Sequence, residues 1–165
     1  MIASHYLGRW PGVVVAIHGC WLDGRAVGVV VYALPPRETS TRYGCVAWEL
    51  ARLWVDDSLP TNSETWLVAR SIRLLRRSRR DVGILVSYAD PSVGHRGGIY
   101  VAGNWTADGR TDQERRTPRF DYLDERTGQR YSRRSHVPDD AVLGRVPRVS
   151  KFRFTYRLGS KHDPA

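Results

Sequence analysis

The chain has 165 residues, which suits one domain and allows a buried core without disulfides. Its formal net charge of +9 favours a polyanionic partner, above all nucleic acid. No stretch is apolar for long enough to span a bilayer, and residues 1–10 lack the layout of a secretory signal. We therefore expect a cytoplasmic protein that does not bind membranes.

The first half of the chain predicts a hairpin and a long strand. Residues 13–17 and 27–32 are β-branched runs on either side of Asp23-Gly24, a strong hairpin signal. A polar loop is expected over 37–44. Residues 45–55 form a third strand with apolar side chains on both faces, as in a central strand covered on both sides. Cys20 and Cys45 lack metal-type spacing, so we expect buried thiols in a reducing cytoplasm.

A helix is predicted over residues 63–79, after a turn at 56–60. Thr61 and Glu64 match a capping box. Apolar side chains recur at helical spacing on one face, and arginines occupy the opposite stripe. The apolar positions are Val68, Ile72 and Leu75, and the stripe is Arg70, Arg73 and Arg77.

The second half predicts short strands separated by polar loops. Residues 105–150 form a loop-rich basic region within the same domain. The last strand has the clearest alternation of the chain, with aromatic and basic residues on opposite faces. In chain order the predicted elements are a strand at 82–88, a short helix at 97–105, a loop at 110–119, a hairpin at 120–131 turning near Thr127-Gly128, a loop at 132–148 and a strand at 151–158.

This order resembles the GNAT acyltransferase fold from its second strand onward. The segment YVAGNW, residues 100–105, resembles that family's last helix, whose Tyr acts as a general acid toward a thiolate. The strand ending in Leu53-Trp54-Val55 and the following helix resemble its pyrophosphate-binding element, although PTNSET replaces the glycine-rich run. The resemblance implies acetyl-CoA or a related donor, held by Leu53, Trp54, Val55, Asn62, Ser63, Glu64 and Asn104.

Four segments resemble the Mom-type phage proteins more closely. These segments are HYLGRWPG, GVVVYALPP, ELARLWVDDSLPTNSETWLVARSIRLLRR and SYADPSVGHRGGIYVAGNW. Mom-type proteins are GNAT-related enzymes that convert adenine in DNA to N6-carbamoylmethyladenine. The resemblance implies a phage transferase that acts on double-stranded DNA in the host cytoplasm and protects it from restriction. It implies an α+β, three-layer single domain, with a mixed, mostly antiparallel sheet and flanking helices.

That reaction requires a base and an acid, because the exocyclic amine of adenine is a poor nucleophile. With the resemblance, Asp90 is the first candidate to accept a proton from N6 or to orient it. Glu49, a carboxylate within a strand, is the alternative base, and an ion pair with Arg52 or Arg70 is its structural alternative. Tyr100 is the candidate acid toward the leaving group, or a stacking partner.

Five further residues are candidates for the site. Ser87 and Tyr88 alternate along a strand, so only one of them can face a given cleft. Histidine is a residue type that can carry a proton near neutral pH, but His95 lies in a predicted loop. Iron has been suggested for the Mom-type family. A site of two histidines and one carboxylate could be drawn from His5, His18 or His95 with Asp90 or Glu49, but no spacing requires it.

The substrate adds a requirement for DNA binding. Adenine N6 is paired in a duplex, so the base must leave the stack to reach a buried site. The expected phosphate contacts are Arg115, Arg116, Arg119, Arg133, Arg134, Lys151 and Arg153, and the helix stripe of arginines is the second choice.

Two other functions fit parts of the sequence. An ordinary GNAT N-acyltransferase for a small amine or a protein would bind acetyl-CoA without needing DNA. A non-catalytic DNA-binding protein would show salt-sensitive affinity and leave no modified base. An adenine methyltransferase fits less well, since no glycine-rich loop follows a strand.

Overall fold

The structure, a computed structural model, describes residues 10–113, 116–132 and 136–159. The elements are β1 (Val14–Leu22), β2 (Arg25–Ala33), α1 (Arg37–Tyr43), β3 (Ala47–Val55), α2 (Ser63–Ser78), β4 (Ile84–Ala89), a 3-10 turn (Pro91–Val93), α3 (Gly98–Ala102), β5 (Thr106–Arg110), β6 (Phe120–Asp124), β7 (Arg130–Tyr131), β8 (Leu143–Pro147) and β9 (Phe152–Arg157). None of the described helices is long and apolar enough to cross a membrane.

The main sheet has six strands in the order β1-β2-β3-β4-β9-β5. Only β3 and β4 run parallel, and the other neighbours are antiparallel. The predicted mixed, mostly antiparallel sheet is confirmed. A second sheet of three antiparallel strands, β7-β6-β8, is built from residues 120–147.

The core lies between the main sheet and α2. Val68, Ile72 and Leu75 are buried as predicted, and they pack with Val30 and Trp48 of the sheet. The sheet therefore covers the apolar face of α2, and the arginine stripe faces outward. The predicted capping box is absent, because α2 begins after Asn62 at a φ of 72° with no side-chain cap.

Helix α1 and strands β5 and β8 correct the predicted loops. Residues 37–44 contain a helix that has Glu38 in its first turn, Arg42 in its last and Gly44 in the left-handed region as its end. The sequence contains these charge and glycine signals for a helix, but the segment is short and polar, so its composition predicts a loop. Strands β5 and β8 are also polar, and they form because β9 and β6 offer them antiparallel partners.

Alternation along the strands assigns side chains to two faces of the main sheet. Leu85, Ser87 and Phe154 point toward α2 and α3, and they pack in or beside the core. Tyr88 points the other way and is hydrogen-bonded to Thr39 of α1. The sheet thus lies between two helical layers, as the three-layer α+β prediction requires.

Strands β3 and β4 separate after three paired residues. Ala47, Trp48 and Glu49 pair with Ile84, Leu85 and Val86, although both strands continue. In β3 the extra residue Ala51 shifts the register against β2, a bulge that turns the strand. We call the space between residues 50–55 of β3 and 87–89 of β4 the strand opening.

Gly97→Ala is predicted to destabilise the fold strongly. Gly97 has a φ of 81°, and an added Cβ would lie 2.3 Å from the buried ring of Phe154. Overpacking of this kind costs roughly 1–3 kcal/mol, and the positive φ adds to it. Chemical denaturation measures the loss. In Gly98→Ala, where a Cβ meets nothing within 4 Å, stability should be unchanged; equal effects of the two variants would contradict this account.

Candidate active site

A chain of hydroxyl groups closes the inner end of the strand opening. The Oγ of Ser87 donates to the carbonyl oxygen of Leu50 at 2.8 Å. Leu50 and Ser87 are the next pair after Glu49 and Val86, so this side-chain bond lies where the backbone ladder ends. The phenol oxygen of Tyr100 lies 2.7 Å from the same Oγ.

The Ser87 hydroxyl lies between two acceptors. A serine hydroxyl has one proton, so it donates to the Leu50 carbonyl or to the phenol oxygen of Tyr100 at any one time. Tyr100 is buried, and its ring stacks on Phe154 with centroids 5.0 Å apart. The phenol predicted as the acid is therefore held beside Ser87, at the inner end of the strand opening.

A cluster of charged and phenolic groups occupies the opposite face of the sheet. Glu49 and Tyr88 belong to this face, by their alternation with the buried Trp48 and Ser87. Burial raises the pKa of Glu49, although Arg52 and Lys151 oppose the shift. Burial and the nearby charge of Glu49 raise the pKa of Tyr88. Glu49 is thus a better base than an ordinary carboxylate.

Asp90 is bound by partners on its own side of the opening. Its carboxylate lies 2.9 Å from the ammonium of Lys151 and accepts hydrogen bonds from the backbone N–H and hydroxyl of Ser92. Burial would raise the pKa of Asp90, but the bonds from Ser92 and Lys151 outweigh it and the pKa is lowered. Asp90 is therefore ionised and weakly basic, which suits it to accept a hydrogen bond.

Lys151 connects Asp90 to Glu49, and the charge of Glu49 acts in turn on Tyr88. Lys151 is paired with Asp90 and acts on the charge of Glu49. Ser87 and Tyr100 form a separate pair on the other face. The alternation of Ser87 and Tyr88 is confirmed, and the sheet divides the predicted catalytic residues into these two groups.

The histidines lie apart from this constellation. His95 is exposed. The Nδ1 of His18 is 2.7 Å from the Oγ of buried Ser71, and burial lowers the pKa of His18. His5 lies outside the described residues. The part of the chain that the structure describes contains no group of three metal-type ligands, so we derive no step through iron.

The predicted donor-binding residues lie at the outer end of β3 and the start of α2. Leu53, Trp54 and Val55 pair with β2, and β4 pairs only with the first three residues of β3. Beyond Glu49, β3 therefore has no paired strand on the side of the opening. Its backbone N–H and C=O groups on that side face an extended ligand. Asn104 lies elsewhere; it borders a cavity of about 480 Å³ together with Tyr43, Asp108 and Arg157.

Three of the predicted phosphate contacts are already paired with acids. Arg119 contacts Asp112 at 3.1 Å, Arg153 contacts Asp108 at 2.8 Å, and Lys151 contacts Asp90. Arg116 is exposed. Arg115, Arg133 and Arg134 lie outside the described residues.

Sequence reasoning missed the partners that hold this cluster. Thr39 is buried and bonded to Tyr88, but it lies in a segment predicted as a loop. Tyr43 donates to Asp108, which also accepts from Arg153. The alternation of the last strand did place Lys151 and Arg153 on one face, and that signal pointed to the cluster.

The fold is that of the GNAT-like acetyltransferases. A putative acetyltransferase from Salmonella typhimurium, solved with its cofactor acetyl-CoA, is 12% identical with a TM-score of 0.51, over 90% of this chain and 68% of that one. An agmatine N-acetyltransferase mutant in its apo form is 14% identical with a TM-score of 0.51, over 86% of this chain and 75% of that one. These similarities define the fold.

Within that fold class, the chain belongs to the Mom protein family, whose profile matches residues 1–163. A relative, the methylcarbamoylase mom of Escherichia phage Mu, is 33% identical over 111 residues. The match covers 62% of this chain and 45% of the relative. The chain therefore spans less than half the length of this curated relative.

Glu49→Gln is predicted to stabilise the protein at high pH. The pKa of Glu49 is raised above its ordinary value of 4.5. The native state therefore binds this proton more tightly than the unfolded chain, and stability falls as the pH rises from 4.5 through the raised pKa. The variant should gain free energy of unfolding above the raised pKa and lose that gain below it.

Denaturant titrations at several pH values measure this difference. Glu125→Gln, which removes the charge of an exposed carboxylate, is the control. A Glu49→Gln variant that is less stable than the parent at high pH would mean that the Arg52 and Lys151 contacts outweigh the cost of burial.

Proposed function

We propose that this chain is a transferase that attaches a carbamoylmethyl group to N6 of adenine in double-stranded DNA. Membership of the Mom family carries the proposal, because a relative in phage Mu is a methylcarbamoylase. The net charge of +9 supports a DNA substrate. In this proposal the protein acts in the cytoplasm of a phage host and protects the modified DNA from restriction.

The reaction forms a bond between N6 and a methylene carbon. N6 loses one proton, the donor carbon loses its leaving group, and the leaving group departs with a proton. The donor is an activated carbamoylmethyl compound. Acetyl-CoA alone presents its thioester carbon, so simple acyl transfer would give N6-acetyladenine instead.

Glu49 is the base in this proposal, and Asp90 orients the amine. The raised pKa of Glu49 makes it a better proton acceptor than Asp90, whose pKa is lowered by Ser92 and Lys151. Asp90 is ionised and accepts a hydrogen bond from the N6 amine. Lys151, paired with Asp90, keeps that carboxylate in place.

Tyr100 supplies the proton to the leaving group. The Ser87 hydroxyl lies 2.7 Å from the phenol oxygen, and it can rotate away from the Leu50 carbonyl to donate to the phenolate once Tyr100 has lost its proton. The serine thereby stabilises the phenolate. The hydrogen bond between Ser87 and Tyr100 lies at the inner end of the strand opening, where Ser87 also contacts Leu50.

An acyl-CoA-related donor fits the strand opening along residues 50–55. The backbone of Leu53, Trp54 and Val55 would hold its extended arm, and the first-turn amides of α2 would face its phosphates. Glu64 in that turn is exposed, and its negative charge repels an anion. The edge of β3 therefore provides most of the contact with the donor. For the proposed product, the leaving group of such a donor would be bonded to the methylene carbon of the carbamoylmethyl unit and not to a thioester carbonyl.

An ordinary N-acyltransferase is the second candidate function. The similarity in fold to a putative acetyltransferase solved with acetyl-CoA favours it. It would transfer a plain acyl group, and DNA would not be required. The chemical identity of any modified base separates the two proposals.

Mass spectrometry of nucleosides from DNA co-expressed with the protein tests the proposed reaction. We expect a deoxyadenosine heavier by a carbamoylmethyl group. Tyr100→Phe and Glu49→Gln should each lower the modified fraction by about 100-fold, as expected for loss of an acid or a base. Asp90→Asn should lower it less, because an amide can still accept a hydrogen bond.

DNA binding by the same variants is the control, and it should match the parent protein. Unmodified DNA from folded protein would overturn the proposal, and an acetylated product would favour the second candidate. Full modification by both Tyr100→Phe and Glu49→Gln would show that these residues are not the acid and the base.

A further inference from the structure

The outer face of α2 carries one tryptophan and three arginines in a single stripe. Trp66, Arg70, Arg73 and Arg77 lie at helical positions i, i+4, i+7 and i+11, which share one face. All four are exposed, and the guanidinium of Arg70 lies 5.8 Å from the centre of the Trp66 ring. We call this set the α2 stripe.

The α2 stripe differs from the basic residues near the strand opening. Among the described residues, Arg70, Arg73 and Arg77 have no carboxylate partner, whereas Arg153 and Lys151 are paired with acids. Acids therefore already offset much of the charge near the opening. Uncompensated arginines are the ones that release counterions when they meet a phosphate.

Trp66 also borders an apolar groove at the start of α2. The groove has a volume of about 280 Å³, and Trp21 of β1 lines it together with Val55 and Ser63, which are also donor-binding candidates. Both indoles are more than half exposed, at 66% for Trp21 and 56% for Trp66. Two exposed indoles beside uncompensated arginines are the combination that stacks a base next to its phosphate.

We propose that the α2 stripe and this groove bind a nucleic-acid strand, with its phosphates along Arg70, Arg73 and Arg77 and an unpaired base against Trp66 and Trp21. The arginines span about 10 Å along the helix, which suits the repeated phosphates of a strand better than one pyrophosphate. This proposal rests on the proposed function, in which the substrate is DNA with a base outside the stack.

The location of α2 connects this surface to the active site. Its inner face packs on the same side of the main sheet as Ser87 and Tyr100, and α2 contacts α3 directly. A strand on the α2 stripe is therefore held on the phenol side of the strand opening. Because unpairing a base costs a few kcal/mol, stacking of a neighbouring base offsets part of that cost.

Salt titrations of DNA binding test the phosphate contacts. The ligand is a duplex with one unpaired adenine, and the variant is Arg73→Gln with Arg77→Gln. We expect the slope of log affinity against log salt to fall in magnitude by about 1.8, for two lost phosphate contacts. The matched control is Arg37→Gln with Arg157→Gln, two exposed arginines of α1 and β9, and its slope should equal the parent's.

Substitutions of Trp66 test the stacking. Trp66→Ala should weaken binding of the duplex with the unpaired adenine by about tenfold, and Trp66→Phe should restore most of it. Binding of a fully paired duplex should change little. An equal loss with both ligands would overturn the base-stacking role.

Three outcomes would overturn the proposal. The first is an unchanged salt slope in the double arginine variant. The second is displacement of the unpaired adenine from Trp66 by CoA, which would assign the groove to the donor. The third is a change of oligomeric state in Trp66→Ala, measured by sedimentation, which would assign it to a contact between copies of the chain.

The proposed function can fail separately. If the salt slopes behave as predicted but DNA from expressing cells carries no modified adenine, the strand-binding surface stands and the proposed reaction falls. If the DNA is modified and the slopes are unchanged, the reaction stands and this surface falls.

Discussion

The structure depends on how strands β3 and β4 separate. A parallel ladder that continued past Glu49 and Val86 would leave no space inside the sheet. Instead, Ala51 forms a bulge in β3. The Ser87 hydroxyl donates a hydrogen bond to the Leu50 carbonyl, at the position where the next backbone hydrogen bond of the ladder would lie. One buried side-chain hydrogen bond therefore satisfies the carbonyl that the separation exposes, which is necessary because an unpaired buried carbonyl costs about 1–3 kcal/mol.

The opening also explains why the candidate catalytic groups fall into two sets. A strand directs successive side chains to opposite faces, so Ser87 and Tyr88 cannot serve the same side. The phenol of Tyr100 approaches from the side of α2 and α3, and Glu49 lies on the side of α1. An acid and a base on opposite sides of a gap can act on the two ends of one transfer, at the leaving group and at the nucleophile.

The sequence allowed much of the fold to be predicted, because strong periodic patterns do not depend on partners. The alternation of the last strand predicted β9, and the apolar spacing predicted α2. The Asp23-Gly24 turn predicted the first hairpin. Helix α1 and strands β5 and β8 were missed because they are short and polar, and pairing or packing with distant residues stabilises them. The capping box failed because Asn62 adopts a left-handed conformation instead.

The site was predictable in its residue types but not in its connections. The Mom-type resemblance pointed to Asp90 and Tyr100, and the mid-strand position of Glu49 marked an unusual carboxylate. The bond of Asp90 to Lys151 joins residues far apart in sequence, and only the register of β4 with β9 brings them together. The ranking of Glu49 above Asp90 as a base depends on those contacts.

Hydrogen exchange of the intact protein, with and without CoA, tests the role of the strand opening most directly. If the opening holds the donor, saturating CoA should protect amides in residues 50–55 of β3 and at the start of α2, and leave those of the β6–β8 sheet unchanged. Bound CoA that protects another surface and leaves the β3 amides unchanged would contradict the account.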